Sequence, residues 1–77
     1  MNKIIPNGNI VHSAQDIGKL VKAKRKQDGL TQTELAELCQ IGTRFLSELE
    51  NGKPTLHFDK VMLVLRNLGL QMSVSSR

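Results

Sequence analysis

Polar side chains that could form specific hydrogen bonds cluster in the middle of the chain. Leu46 and Leu49 recur at helical spacing and should face a core, which leaves the intervening polar residues pointing outward. These outward residues are Thr43, Arg44, Ser47 and Glu48. A guanidinium can bond O6 and N7 of guanine together, a hydroxyl can contact a thymine methyl or a phosphate, and a carboxylate can accept from a cytosine amine. Glu48 could equally be a solvated residue, or it could repel DNA that is bound in the wrong register.

The sequence lacks the residue motifs that catalysis commonly requires. His12 and His57 lie far apart, and there is no histidine pair at metal-ligand spacing, no glycine-rich phosphate loop and no serine or cysteine nucleophile motif. The single cysteine, Cys39, lies in an apolar stretch and is interpreted as a packing residue. We therefore expect no enzymatic activity, no cofactor and no metal.

Composition favours duplex DNA as the partner. The chain has 77 residues, enough for one small core, and a formal net charge of +4, which suits a polyanion although it can also serve solubility. Because it has no Trp, no Tyr and only Phe45 and Phe58, it lacks platforms on which single-stranded bases stack. No signal or membrane segment is evident near the N-terminus, so we expect a cytoplasmic, nucleoid-associated protein with no membrane partner.

The elements that position the polar cluster are short capped helices. Ser13 with Asp16 predicts the start of a first helix, which Gly29 ends, and Thr31 with Glu34 predicts the start of a second. The turn at residues 40–42 leads to a third helix, closed by Asn51 and Gly52.

The remaining residues predict a closing helix and a strand. Apolar residues from Phe58 to Leu68 recur at helical spacing until Gly69, whereas Leu70, Met72 and Val74 alternate with polar residues as in a half-buried strand. The predicted fold is all-α, with four to five helices and one short C-terminal strand. Its predicted domains are an N-terminal extension (1–12), a DNA-binding domain (13–69) and a dimerisation strand (70–77).

The segment Leu30–Gly52, LTQTELAELCQIGTRFLSELENG, resembles the helix-turn-helix of the phage repressor and Cro family, or Xre-like regulators. The similarity lies in the Thr31-Gln32 entry, the Glu34-Leu35-Ala36 core, the apolar Ile41, the Leu46 and Leu49 pair and the closing Glu50-Asn51-Gly52. In this motif the second helix enters the major groove while the first crosses the backbone. The resemblance therefore implies base reading by the outward face between Thr43 and Glu48.

The same resemblance implies roles for residues around that face. Gln32 corresponds to a glutamine that holds a phosphate, although it could be merely an exposed helix former. Thr31, Asn51 and Lys53 are further candidates for phosphate contacts, with capping as the alternative for Thr31. Arg25 and Glu50 match a structural ion pair that holds the first helix to the recognition helix.

Both ends of the chain extend the similarity to HipB-like antitoxins, through Ile10-Val11-His12-Ser13 and Leu70-Gln71-Met72-Ser73-Val74. This implies a repressor that also neutralises a HipA-type kinase toxin and represses its own operon. A free strand edge invites the same strand of a second subunit, so Leu70, Met72 and Val74 are predicted to form a homodimer that binds an inverted-repeat operator. A stand-alone phage-type repressor and a toxin-binding module with little DNA role remain the alternatives.

Two positions depart from the family pattern. Gln40 stands where glycine is usual and would carry left-handed strain, and Gly42 stands where a Ser or Thr cap is common. Phe45 could pack under the turn or meet a thymine methyl, and packing is preferred.

Overall fold

Four helices form the described part of the chain, which in this computed structural model comprises residues 10–54, 57–74 and 76. The helices are α1 (Ala14–Gln27), α2 (Gln32–Cys39), α3 (Thr43–Glu50) and α4 (Phe58–Asn67). The all-helical prediction is thus confirmed with four helices. Most of the predicted N-terminal extension, residues 1–9, lies outside the described residues.

The first two helices begin at side-chain caps. Ser13 Oγ accepts a hydrogen bond from the Asp16 amide at 3.2 Å, and Asp16 Oδ2 accepts one from the His12 amide at 2.9 Å. At α2, Thr31 Oγ1 accepts from the Glu34 amide and Glu34 Oε1 accepts from the Thr31 amide, which completes a capping box. Amides at a helix start have no partner within the helix, so these contacts determine where each helix begins.

The turn between α2 and α3 contains a left-handed residue. Gln40 has φ 58° and ψ 43°, and the Ile41 amide donates to the Ala36 carbonyl at 3.0 Å to close the end of α2. The predicted strain at Gln40 is therefore real, because a side chain in this region crowds its own backbone. Gly42 follows as the N-cap of α3 and supplies no side-chain hydrogen bond.

One apolar core joins all four helices. Its fully buried side chains are Val21, Leu35, Leu46, Leu49 and Val64. Cys39 is buried in the same core, and Phe45 packs against its edge with Lys60 Nζ 5.6 Å from the ring centroid. Burial raises the pKa of the Cys39 thiol, because the thiolate would lose its hydration. These positions agree with the packing roles predicted for Cys39 and Phe45.

Close contact between α1 and α3 fixes the orientation of α3. A Cβ at Gly18 would collide with the carbonyl oxygens of Leu49 and Glu50, the last residues of α3. Only glycine lets the two backbones approach so closely. At the exit of α3, Gly52 has φ 81° and lies against Gln15 of α1. The first helix thus holds the C-terminal end of α3 at two glycines.

The predicted C-terminal strand is absent from this single chain. Residues 70–74 have no strand pairing, and Ser75 and Arg77 lie outside the described residues. A strand is stabilised by backbone hydrogen bonds to a neighbour, and the described residues provide no neighbouring strand. Leu70 instead packs on the core, while its amide donates to the Leu65 carbonyl at 2.8 Å as the end of α4 closes. The alternating pattern correctly indicated an end to the helix but not a strand within one subunit.

No helix among residues 10–54 and 57–74 combines the length and the apolar character needed to cross a bilayer.

Candidate nucleic-acid interface

The recognition surface, as we call the outward face of α3, carries the four polar residues predicted for it. Thr43 and Arg44 are exposed, whereas Ser47 and Glu48 are half-buried because they lie closer to the packed side of the helix. Leu46 and Leu49 occupy the opposite side and are buried in the core. The backbone therefore presents Thr43 and Arg44 farthest into solvent, near the start of α3, where a helix inserted into a major groove contacts bases.

Glu48 lies beside two cations on this surface. Its Oε2 atom lies 3.5 Å from Arg44 Nε and 3.3 Å from Lys53 Nζ. Arg44 and Glu48 are four residues apart on one helix, and Lys53 reaches back from the segment that follows α3. One carboxylate oxygen is thus shared by two positive groups.

Behind the recognition surface, Arg25 and Glu50 form a buried ion pair. Arg25 Nε lies 2.6 Å from Glu50 Oε2, and a second guanidinium nitrogen, Nη2, donates to Oε1 at 3.0 Å. The third nitrogen, Nη1, donates to the Leu30 carbonyl at 2.7 Å. The two side chains are only 9% and 2% exposed. A two-pronged contact in such a site fixes both distance and angle, so it holds α1 to the end of α3 and to the entry of α2.

The pair also shifts the pKa of each partner. Burial of Glu50 disfavours its charged form and would raise its pKa, but hydrogen bonds from Arg25 and Gln32, together with the charges of Arg25 and Lys22, outweigh this effect. The pKa of Glu50 therefore lies below its ordinary value of 4.5. The hydrogen bond to Glu50 raises the pKa of Arg25 against the opposing effect of burial.

Gln32 joins this buried pair to the start of α2. Its Nε2 donates to Glu50 Oε1 at 3.0 Å, and the residue is half-buried rather than freely solvated. An amide nitrogen carries two hydrogens, so one remains available to a ligand after this contact. Sequence reasoning missed the contact, because the residues are 18 positions apart and only the packing of α2 on α3 brings them together.

The other candidate phosphate contacts lie at the ends of the helices. Thr31 caps α2 through the capping box, Asn51 is the exposed C-cap of α3, and Lys53 is the exposed partner of Glu48. Amides at a helix start attract anions, so Thr31 and Gln32 flank a site that suits a phosphate. Two of the four candidates, Gln32 and Lys53, thus already have their side chains engaged with a carboxylate.

The apolar residues after α4 become progressively more exposed. Leu70 is half-buried, Met72 is 38% exposed and Val74 is 94% exposed. Residues 10–54 and 57–74 contain no group of three metal-ligating side chains that could hold a metal ion.

The chain matches known helix-turn-helix proteins in sequence. The helix-turn-helix family profile matches residues 21–74, more than half of the chain. An uncharacterized HTH-type transcriptional regulator, y4mF of Sinorhizobium fredii (strain NBRC 101917 / NGR234), is 42% identical over 64 residues, which cover 83% of this chain and 84% of that protein. The ImmF control region 10 kDa protein of Bacillus phage phi105 is 36% identical over 58 residues, covering 73% of this chain and 64% of that protein.

Solved structures of HipB have the same fold. HipB in its O4 20mer complex and in a HipA-HipB-O2-O3 complex each align with a TM-score of 0.81 and 26% identity, covering 90% of this chain and 97% of the HipB chain. The family's members are transcriptional regulators, a class that is generally non-enzymatic. The chain belongs to the Xre/Cro-like helix-turn-helix family of DNA-binding transcriptional regulators and resembles its HipB-like members.

Proposed function

We propose that this regulator is a transcriptional repressor that binds duplex DNA in a sequence-specific way. We further propose that it is the antitoxin of a HipA-like kinase toxin and represses its own operon. The observation that carries the DNA-binding part is the recognition surface, with exposed Thr43 and Arg44 on a helix braced from behind by the buried Arg25–Glu50 pair. The similarity to HipB, whose solved structures include an O4 20mer complex and a HipA-HipB-O2-O3 complex, supports the antitoxin part. Such a repressor works in the cytoplasm, at the nucleoid.

Base recognition is assigned to the recognition surface, in which Glu48 has two candidate roles, as a base reader or as a charge that repels DNA bound in the wrong register. Arg44 is the primary reader, because it is the only long cationic side chain there and can bond O6 and N7 of one guanine. Thr43 and Ser47 are shorter and suit a thymine methyl or a nearby phosphate, while Glu48 suits a cytosine amine.

Phosphate contacts are assigned to the residues at the helix ends. Gln32 and Thr31 act with the first amides of α2, and Asn51 and Lys53 meet the backbone after α3. The Glu50 contact orients the Gln32 amide and leaves its second hydrogen for a phosphate.

A homodimer is assigned to the segment after α4. Met72 and Val74 are exposed in a single subunit, and pairing of residues 70–75 with their symmetry mate would cover them together with Leu70. The two recognition helices would then lie about 34 Å apart, one turn of DNA, which requires an inverted-repeat operator. Residues 13–69 are accordingly the DNA-binding domain, 70–77 the dimerisation segment and 1–12 an extension.

Selection of a duplex from a random library, followed by binding at several salt concentrations, tests this function. A repressor that contacts phosphates loses affinity as the salt concentration rises. The logarithm of its binding constant falls against the logarithm of salt concentration with a slope of about 0.9 per phosphate neutralised. Arg44→Ala should relax the preference at one base pair and cost roughly 1 to 3 kcal/mol per half-site. Lys53→Ala is the matched control, since it should weaken all sequences alike. An unchanged preference in Arg44→Ala would contradict the base-reading assignment.

Truncation after Gly69 tests the dimer. The shortened protein should be monomeric in light scattering and lose operator affinity while it keeps its half-site preference. A truncated protein that stays dimeric would show that the contact lies elsewhere.

A stand-alone phage-type repressor is the second candidate, favoured by the similarity to the phage phi105 control-region protein. Co-expression with the protein encoded by the adjacent reading frame separates the two. Co-purification of a stable complex supports the antitoxin, whereas operator binding without any complex supports the stand-alone repressor.

A further inference from the structure

The shared carboxylate of Glu48 is the most unusual feature of the recognition surface. Its single Oε2 atom lies within 3.5 Å of the Arg44 guanidinium and within 3.3 Å of the Lys53 ammonium. A negative charge here stands among the cations that would approach a polyanion. It therefore opposes the attraction that Arg44 and Lys53 would otherwise exert.

We propose that Glu48 is a specificity-determining residue that acts as a counter-charge to Lys53 and a positioning contact for Arg44, and does not read a base. This inference rests on the proposed DNA-binding function and replaces the cytosine-amine role considered for Glu48. Its effect is to lower affinity for arbitrary DNA more than affinity for the operator.

The geometry leaves the base-reading atoms of Arg44 free. Glu48 lies beside Nε, whereas the two terminal nitrogens of the guanidinium carry the N–H groups best placed to meet O6 and N7 of guanine. The side chain of Arg44 is 91% exposed and that of Glu48 is 30% exposed, so Arg44 can extend beyond the carboxylate towards a groove. The ion pair thus restrains the stem of Arg44 without blocking its tip.

Lys53 is affected differently, because an ammonium acts as a compact charge with no separate reading edge. While Glu48 Oε2 is 3.3 Å from Nζ, a phosphate that approaches Lys53 also approaches a carboxylate. These charges are much closer than the screening length of about 10 Å at 0.1 M salt. The phosphate contact of Lys53, which has the same strength on every sequence, is therefore weakened by Glu48.

The Lys53 effect is common to all sequences and cancels from the ratio between operator binding and binding to arbitrary DNA, so Glu48 raises that ratio through the positioning of Arg44, whose base contact is made on the operator. Glu48→Gln retains the shape and removes the charge, so Lys53 should neutralise a phosphate more fully. One additional neutralised phosphate at a slope of about 0.9 corresponds to a gain of up to roughly eightfold at 0.1 M salt. This gain should appear in full on scrambled DNA. It should be smaller on the operator, because Arg44 loses its positioning contact there, so the ratio of operator to scrambled affinity should fall.

The experiment compares the full chain with four variants by fluorescence anisotropy. The probes are the selected operator duplex and a scrambled duplex of equal length, each titrated at several salt concentrations. Glu37→Gln is the matched control, because it removes the same charge from an exposed position of α2 that has no ion pair in the described chain. The third variant, Glu48→Gln with Lys53→Ala, is compared with Lys53→Ala alone and asks whether the gain requires Lys53.

The proposal expects Glu48→Gln to bind scrambled DNA more tightly with a steeper salt slope, to keep the selected sequence, and to lose the gain when Lys53 is also replaced. Three results would overturn it: no gain on scrambled DNA, an equal gain in Glu37→Gln, or a changed base preference with weaker operator binding, which would restore the base-reading role. Wild-type protein that binds neither duplex would instead refute the DNA-binding function itself, and the inference with it.

Discussion

Two arginine-glutamate contacts lie on opposite sides of the recognition helix and differ mainly in their contact with water. The Arg25 and Glu50 side chains are 9% and 2% exposed, whereas those of Arg44 and Glu48 are 91% and 30% exposed. The buried pair is held by two hydrogen bonds and supported by Gln32, while the outer pair is a single looser contact. Similar chemistry therefore holds helices together on one side and leaves a side chain available for a ligand on the other.

Breaking the buried pair should have the largest effect. Arg25→Ala or Glu50→Ala leaves an uncompensated charge in a dry site, and each should lower the free energy of unfolding by about 3 to 5 kcal/mol. The double mutant should lose much less than the sum, because it leaves no orphaned charge. Thermal or urea unfolding of all three variants measures this coupling.

The partly exposed pair of Lys24 and Asp28 is the control for that cycle. Its atoms are 2.9 Å apart, yet it lies at the surface, so its removal should cost less than about 1 kcal/mol. If the double mutant of Arg25 and Glu50 lost as much stability as the two single mutants together, this would contradict the role assigned to burial.

Acid should remove part of the same stabilisation. Because the pKa of Glu50 is lower in the folded chain than its ordinary 4.5, its contribution is complete above that pH and is lost as the pH falls through the folded value. Glu50→Gln cannot titrate there, so its deficit relative to wild type should be greatest near neutral pH and should narrow below pH 4.5. Urea unfolding between neutral pH and pH 3 tests this, and a constant deficit would argue against it.

A smaller effect is expected at the turn that precedes the recognition helix. Gln40 has φ 58°, a conformation that costs a residue with a side chain about 1 to 2 kcal/mol and that glycine adopts without this cost. Glycine also makes the unfolded chain more flexible, which offsets part of the gain in stability. Gln40→Gly should therefore stabilise the protein by about 0.5 to 1 kcal/mol. Gln40→Ala keeps the strain and should show no gain. Destabilisation by Gln40→Gly in thermal melts would mean that the glutamine side chain contributes a contact of its own.

The least change in stability is expected at the outer pair. Arg44→Ala removes a side chain that is 91% exposed, so the free energy of unfolding should stay within about 0.5 kcal/mol of wild type. If thermal melts showed that Arg44→Ala loses as much stability as Arg25→Ala, the two sides of α3 would not differ in the way described.

Local chemistry was predictable from sequence, and contacts between distant elements were not. The caps at Ser13 and Thr31 and the core spacing of Leu46 and Leu49 predicted the helices, because each depends on residues within one turn. The C-terminal strand was wrong for a single subunit, since strand formation depends on a neighbour that alternation alone cannot supply. The composition of the recognition surface was likewise predictable from helical spacing.

The engagement of two candidate ligand residues was not predictable. Gln32, predicted to contact a phosphate, also donates to Glu50, and Lys53 lies against Glu48. Both contacts depend on how α2, α3 and the following segment meet, and no local spacing encodes that arrangement. The pairing of Arg25 with Glu50, across 25 residues, was expected only through the family resemblance.

The division of α3 into a buried and a solvated side also bears on how such a protein can diversify. Leu46, Leu49 and Glu50 are fixed by the core and by Arg25, whereas Thr43 and Arg44 pack against nothing in that core. Replacements at the solvated positions are thus nearly silent in folding, and a gene can accumulate them without producing misfolded protein. Under the proposed base-reading role of Thr43 and Arg44, a few codon changes would alter the preferred DNA sequence and leave the fold intact.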